Sequence, residues 1–298
     1  MKTIAAIFLI LAFPFFATQS AAAAEPKADV ESPQGKVTLK WLGNAGWEIQ
    51  IGATIILIDP FLTRKDHARD AEWKTDEEAV LKVIRGADFI FAGHSHHDHI
   101  GDVPFIAKHF RSKIIGSRTT ANLALTAGVD KSQLTIISGG DKLAFKGFSV
   151  EVIESRHGWR RGRAPRQENE EISRPWQGPI RGRDFVDGGS FLYYFTFGQR
   201  RVLHQSTANF VEERLTEVRP DLALLAVGHD GYNLERVLKK LQPKAVVIQH
   251  FDEWRSRFSE GIPTASVRRA QRFAHDITAV DNQIKVVIPT FLMTYPLD

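Results

Sequence analysis

The sequence predicts an α/β protein in which two β-sheets are sandwiched between layers of helix. Apolar, β-rich runs at Val37–Leu42, Trp47–Ile51 and Thr54–Ile58 follow one another with only Gly or Asn turns between them. Later strands alternate with helical segments, which is the pattern of βα units. The chain is 298 residues long, enough for one large domain with a sizeable core.

Each remaining element follows from a local signal. Thr75 with Glu78 forms a capping box that predicts a helix to about Arg85. Ala87–Ala92 predicts a buried strand, followed by a helix over Val103–Phe110. Strands are predicted at Lys113–Ile115 and Thr135–Ile137, with a helix over Thr119–Ala127 between them. Phe148–Glu154 and Ser190–Phe197 predict strands on either side of a long polar segment. Further strands are expected at Arg200–Leu203, Leu222–Val227 and Ala245–Ile248, with helices over Phe210–Val218 and Asn233–Leu241. A helix over Thr264–His275 and a strand over Ile284–Ile288 complete the order.

The N-terminus has a different character. Lys2, the apolar run Ile4–Phe16 and the small residues Ala21–Ala24 have the order of a secretory signal peptide, and the run is short for a bilayer span. The expected organisation is therefore a signal peptide over 1–24 and a single domain over 25–298, periplasmic or secreted, with no transmembrane segment after cleavage. A net charge of +4 permits acidic partners without demanding them. Cysteine is absent, which excludes disulfides and thiolate metal sites, so any metal must be held by His, Asp or Glu.

Of eleven histidines, four fall within Gly93–Gly101, in the run His94-Ser95-His96-His97-Asp98-His99. The run follows a predicted strand and precedes a helix, where α/β folds usually place their chemistry. Neutral imidazoles and a carboxylate suit zinc, and alternate residues of such a loop can point to different metals.

His94-x-His96-x-Asp98-His99 resembles the hallmark motif of the metallo-β-lactamase superfamily of hydrolases. The resemblance covers nearly the whole chain after residue 24 and implies a four-layer αββα sandwich. It implies that His94, His96 and His157 hold one metal, and that Asp98, His99 and His250 hold another. Asp59, in Ile56-Leu57-Ile58-Asp59-Pro60, is similar to a buried Asp that orients ligands from behind. Zinc is the expected cofactor, as one or two ions, with manganese or iron also suited to these donors. The Asp59-Pro60 landmark and the histidine run look most like the branch containing ascorbate-lactone hydrolases. His157 with Trp159 and the arginines beyond it is similar, over a short stretch, to the N-acyl-phosphatidylethanolamine phospholipase branch.

One position departs from the family pattern. Ser206, in Val202-Leu203-His204-Gln205-Ser206-Thr207, stands where the family's bridging Asp belongs, so a second metal is expected to bind less tightly or not at all. His204, two residues away on the same strand face, and Asp230 are candidate substitutes, and His229 is a candidate cleft residue.

A metal-activated water acting on an ester, lactone, amide or phosphodiester bond fits this ligand set, with Asp98 or a nearby His handling the proton. Ser155–Arg183 carries eight Arg against three Glu, with Trp159 and Trp176. This composition points to a small anionic or amphiphilic substrate. A non-catalytic metal- or ligand-binding protein on the same fold is the rival reading, motivated by Ser206. A nucleic-acid partner is disfavoured by the leader and by the near-neutral charge elsewhere. Oligomeric state and the scissile bond are not encoded in any local signal.

Overall fold

A computed structural model of the chain describes residues 35–65, 68–158, 171–207, 209–228 and 232–297. The leader over 1–24, Trp159, His229 and Asp230 lie outside the described residues. Among the described residues, no helix is long and apolar enough to cross a membrane.

The first half of the chain builds one sheet. Strands β1 (Val37–Gly43), β2 (Gly46–Ile51) and β3 (Thr54–Ile58) form an antiparallel meander. Helix α1 (Glu77–Val83) leads to β4 (Phe89–Phe91), and α2 (His97–Ile100) and α3 (Val103–Phe110) lead to β5 (Lys113–Gly116). Helix α4 (Arg118–Thr126) then leads to β6 (Leu134–Ile136), and β3 to β6 pair in parallel. The second sheet begins with the antiparallel strands β7 (Lys142–Phe145), β8 (Phe148–Ser155), β9 (Ser190–Phe197) and β10 (Arg200–Gln205). Strand β11 (Leu222–Ala226), helix α5 (Leu234–Leu241), β12 (Ala245–Gln249), α6 (Thr264–Val280) and β13 (Lys285–Val287) continue it in parallel. The last strand, β14 (Thr294–Pro296), returns to the first sheet beside β1. Each sheet has seven described strands, and the two face each other between the helices, as the sequence predicts.

Residue alternation explains the layering. Ile56, Ile58, Phe91 and Ile115 belong to the core that also contains Val150, Val152, Tyr193 and Phe195 of the second sheet. Their neighbours Leu57, Ile90 and Ile114 point the other way, into a core with Val80, Ile106 and Leu123 of the helices. A strand period of two thus fills both sides of the first sheet with apolar side chains.

Several local expectations shift. The cap of α1 is Asp76, which accepts from the Ala79 amide at 3.1 Å, while Thr75 donates to the Gly101 carbonyl at 3.2 Å. Phe210–Val218 forms only a 3-10 turn over Glu212–Leu215. Its bonds run from Arg214 to Val211 and from Val218 to Leu215, and Pro220 leaves too little chain to repay helix nucleation. Strands β7 and β14 escape prediction because both are edges with half-exposed patterns. Pro296 is tolerated in β14 because an edge strand needs hydrogen bonds on one side only.

Candidate metal centre

The carboxyl ends of strands from both sheets converge. Asp59 follows β3, His94 lies just beyond β4, His157 beyond β8, Ser206 directly after β10 and His250 directly after β12. His96, on extended backbone, is the residue before α2, so Asp98 and His99 occupy the first turn of that helix.

Two clusters result. The ligand atoms of His94, His96 and His157 lie within 4.8 Å of one another, as do those of Asp98, His99 and His250. In the first cluster Nε2 of His94 faces Nδ1 of His96 at 3.1 Å. In the second, Nε2 of His99 is 3.3 Å from Nε2 of His250. Asp98 Oδ2 is 3.7 Å from the His99 nitrogen and 3.6 Å from that of His250. The rings of His94 and His99 pack at 3.8 Å between centroids, so the clusters are adjacent. Two sets of imidazole nitrogens, one with a carboxylate added, are suitable donors for divalent transition metals.

Behind the donors lies a hydrogen-bonded frame. Asp59 is fully buried. It accepts from the Gly93 amide at 2.7 Å, His99 Nδ1 at 3.0 Å and the Ser206 hydroxyl at 2.5 Å. Asn44 donates through Nδ2 to Asp98 Oδ2 at 3.0 Å and to its carbonyl at 2.8 Å, and its own carbonyl accepts from the His250 amide at 2.9 Å. Asn44, Asp59 and His250 have φ of 53°, 44° and 54°, a left-handed conformation that costs on the order of 1–3 kcal/mol per residue when surrounding contacts impose it. Asp252 fixes the first of them by accepting from the Asn44 amide at 2.9 Å, and Arg64 in turn donates to Asp252 at 2.6 Å.

Burial favours the neutral, metal-binding form of four of the five histidine ligands. Burial, then the neighbouring His157, pushes His96 down to about 3, and burial with the adjacent imidazoles holds His94 well below 6.5. His157 and His250 are lowered chiefly by burial as well. His99 goes the other way: burial would lower it, but Asp98 and Asp59 outweigh that and raise it. Burial opposes ionisation of Asp59, yet His99 and the Gly93 amide hold it below 3.8.

A histidine with a lowered folded-state pKa binds fewer protons than in the unfolded chain. Its stabilisation is therefore present above 6.5 and lost as pH falls; that of His99, with a raised pKa, is present below 6.5 and lost as pH rises. The lowered group is the larger. Chelated protein is expected to lose about 2 kcal/mol between pH 6.5 and 5 from His96 alone, at ~1.4 kcal/mol per pH unit, with the other lowered histidines acting in the same direction. Thermal melts across that range test this, and a flat melting temperature contradicts it.

His204 belongs to neither cluster. It is fully buried, its Nε2 donates to the Ala45 carbonyl at 2.9 Å, and it sits two residues deeper along β10 than Ser206, roughly 6–7 Å at the usual strand rise. His97 is also apart, with its ring against Trp254 at 4.8 Å and Trp73 at 5.5 Å. Two arginines in the described part of Ser155–Arg183 are engaged by Asp70. Arg181 donates to the Asp70 carbonyl and Arg183 pairs with the Asp70 carboxylate, each within 2.7 Å, while Trp176 packs against the helix-side core. Two buried residues escape the sequence reading. One is Asn44, whose Gly43-Asn44-Ala45-Gly46 setting signals only a turn. The other is Asp187, which accepts from Ser190 at 2.7 Å and whose charge acts on both His157 and His99.

The fold and the paired ligand clusters define a metallo-hydrolase architecture. Residues 38–250 match the model of the Beta-lactamase superfamily domain, and the chain belongs to that family. A "UPF0173 metal-dependent hydrolase" of Polynucleobacter asymbioticus is 26% identical over 264 residues, 84% of each chain. A namesake from Brucella ovis is 30% identical over 119 residues, 40% of this chain and 46% of that protein. The matched stretch thus spans less than half of the Brucella relative. Igni18, described as a novel metallo hydrolase from the archaeon Ignicoccus hospitalis, shares the fold with a TM-score of 0.60 at 19% identity, over 88% of this chain and 99% of its own.

Proposed function

We infer that this chain is an exported metal-dependent hydrolase that acts on an ester, lactone or phosphodiester bond of a small anionic or amphiphilic molecule. The observation that carries the reading is the pair of adjacent three-residue clusters at the strand ends, with donor atoms within 4.8 Å in each. His94, His96 and His157 would hold one ion and Asp98, His99 and His250 a second, zinc being the default and manganese or iron alternatives. When bound, such an ion polarises a carbonyl or phosphoryl oxygen and lowers the pKa of water.

The chain's own contribution is positional and electrostatic. Asp59 and Asn44 fix His99 and Asp98, and Asp98, the one carboxylate among the donors, would also hold the proton that moves during hydrolysis. Beside His97, Arg255 lies over the Trp254 ring at 4.6 Å, and this pairing of a cation with an apolar face supports an amphiphilic anion as substrate. The Asp59-Pro60 landmark and the histidine run favour a place near the ascorbate-lactone-hydrolase-like branch. The Lys2, Ile4–Phe16 and Ala21–Ala24 order supports a periplasmic or secreted location.

Metal content per chain, measured by elemental analysis of protein purified without chelator, is expected at one to two ions. Turnover of an ester, lactone or phosphodiester should vanish on chelation and return with zinc. Absence of metal even after zinc and manganese are offered would favour a ligand-binding protein on the same fold, the reading that Ser206 motivates.

A further inference from the structure

The serine that replaces a bridging carboxylate occupies a defined place. Ser206 is fully buried. Its Oγ is 2.5 Å from Asp59 Oδ2, 3.2 Å from His94 Nδ1 and 3.3 Å from His99 Nδ1. It therefore lies behind the rings, on the nitrogens opposite those that face His96 and His250.

Donor and acceptor counting fixes the direction of each bond. An ionised Asp59 can only accept, so the Ser206 hydroxyl proton points at it. The serine oxygen is then left as an acceptor, and the partner it meets is His94 Nδ1–H. That tautomer leaves Nε2 of His94 with a free lone pair toward the first cluster. His99 donates its Nδ1–H to the same Asp59 oxygen at 3.0 Å, which leaves its Nε2 free toward the second cluster. One carboxylate thereby governs a ligand in each cluster, directly for His99 and through the serine for His94.

The neighbouring backbone is shaped for this arrangement. A β-carbon at Gly93 would lie 2.1 Å from both Cβ and Oγ of Ser206 and 3.0 Å from Asp59 Oδ2. Only glycine leaves room for the serine there, and the Gly93 amide supplies Asp59 with its further bond.

The geometry points to Ser206 as a positioning residue, a relay that sets the tautomer and orientation of His94 from Asp59 and so tunes the first cluster selectively. This rests on the metal-binding reading above.

The test uses zinc alone as probe, with affinity read by competition against a chelating dye. In a His250→Ala background, where the first cluster remains whole, Ser206→Ala is expected to weaken zinc binding about 10- to 100-fold, the usual effect of losing such a supporting group. In a His157→Ala background, where the second cluster remains whole, the same change is expected to cost less than about threefold, because Asp59 still reaches His99 directly. Near-UV circular dichroism verifies that the variants fold. The unmodified zinc-loaded protein, labelled with nitrogen-15 in its histidines, supplies a readout that needs no variant: His94 should show a slowly exchanging Nδ1–H and a metal-bound Nε2.

An equal loss in both backgrounds, no loss in either, or a His94 bound through Nδ1 overturns the relay while leaving the metal reading intact. A wild-type chain that takes up no zinc overturns the metal reading and the relay together.

Discussion

Replacing His96 with alanine is expected to leave a folded protein whose first cluster no longer retains metal and whose hydrolytic turnover falls by about 1,000-fold or more. Stabilisation by an ion at the reacting oxygen amounts to several kcal/mol, and each 1.4 kcal/mol is a factor of ten in rate. The fold should survive because His96 makes no side-chain capping bond to α2 and its ring hydrogen-bonds to another ligand, His94. Removing it also removes a buried imidazole whose pKa is depressed to about 3. Metal-free His96→Ala should therefore match or exceed the metal-free parent in melting temperature at pH 5. Retained turnover in the variant, measured with the parent's substrate after chelation, would rule out the hydrolytic role of this cluster.

Replacing Arg64 with methionine is expected to cost about 3–5 kcal/mol and roughly 10 °C in melting temperature. Both side chains of the Arg64–Asp252 pair are at most 1% exposed, and removing one partner leaves a buried charge without compensation. Arg64 also donates to the Glu253 and Ser256 carbonyls. Its guanidinium lies near Phe258 and Phe291, at 5.1 and 5.0 Å from their centroids. The damage should reach the second cluster, because Asp252 holds the Asn44 amide and Asn44 holds both Asp98 and the His250 backbone. Zinc affinity in a His157→Ala background should accordingly fall along with stability. The double change Arg64→Met with Asp252→Leu should recover part of the loss, since it leaves no unpaired charge. Calorimetry decides the matter: a shift under about 2 °C for Arg64→Met would mean that the pair contributes little.

Much of the frame is legible from local signals. The meander β1–β3 follows from apolar runs separated by turns, and β4 announces itself by an unbroken apolar stretch before the histidine run. Edge strands β7 and β14 were hidden because half their residues face solvent and one carries Pro296. Thr75 and Glu78 satisfy a capping pattern, yet Asp76 makes the cap. Thr75 instead finds the Gly101 carbonyl, 26 residues along the chain, and a pattern confined to four residues cannot register that competition.

The sequence by itself determined the chemistry of the donors: no cysteine, a dense histidine run after a strand, and further histidines at later strand ends. Tertiary structure decided which donors meet and what stands behind them. Ser206 and Asp59 are 147 residues apart, Asn44 and Asp252 are 208 apart, and neither contact leaves a trace in local periodicity. It also decided that His204 packs beneath the site and that Arg181 and Arg183 are bound to Asp70. Strand and helix signals act over a few residues, because they arise from backbone sterics and the alternation of side chains. The environment of a buried polar group is set by how two sheets close on each other, and only the folded chain fixes that.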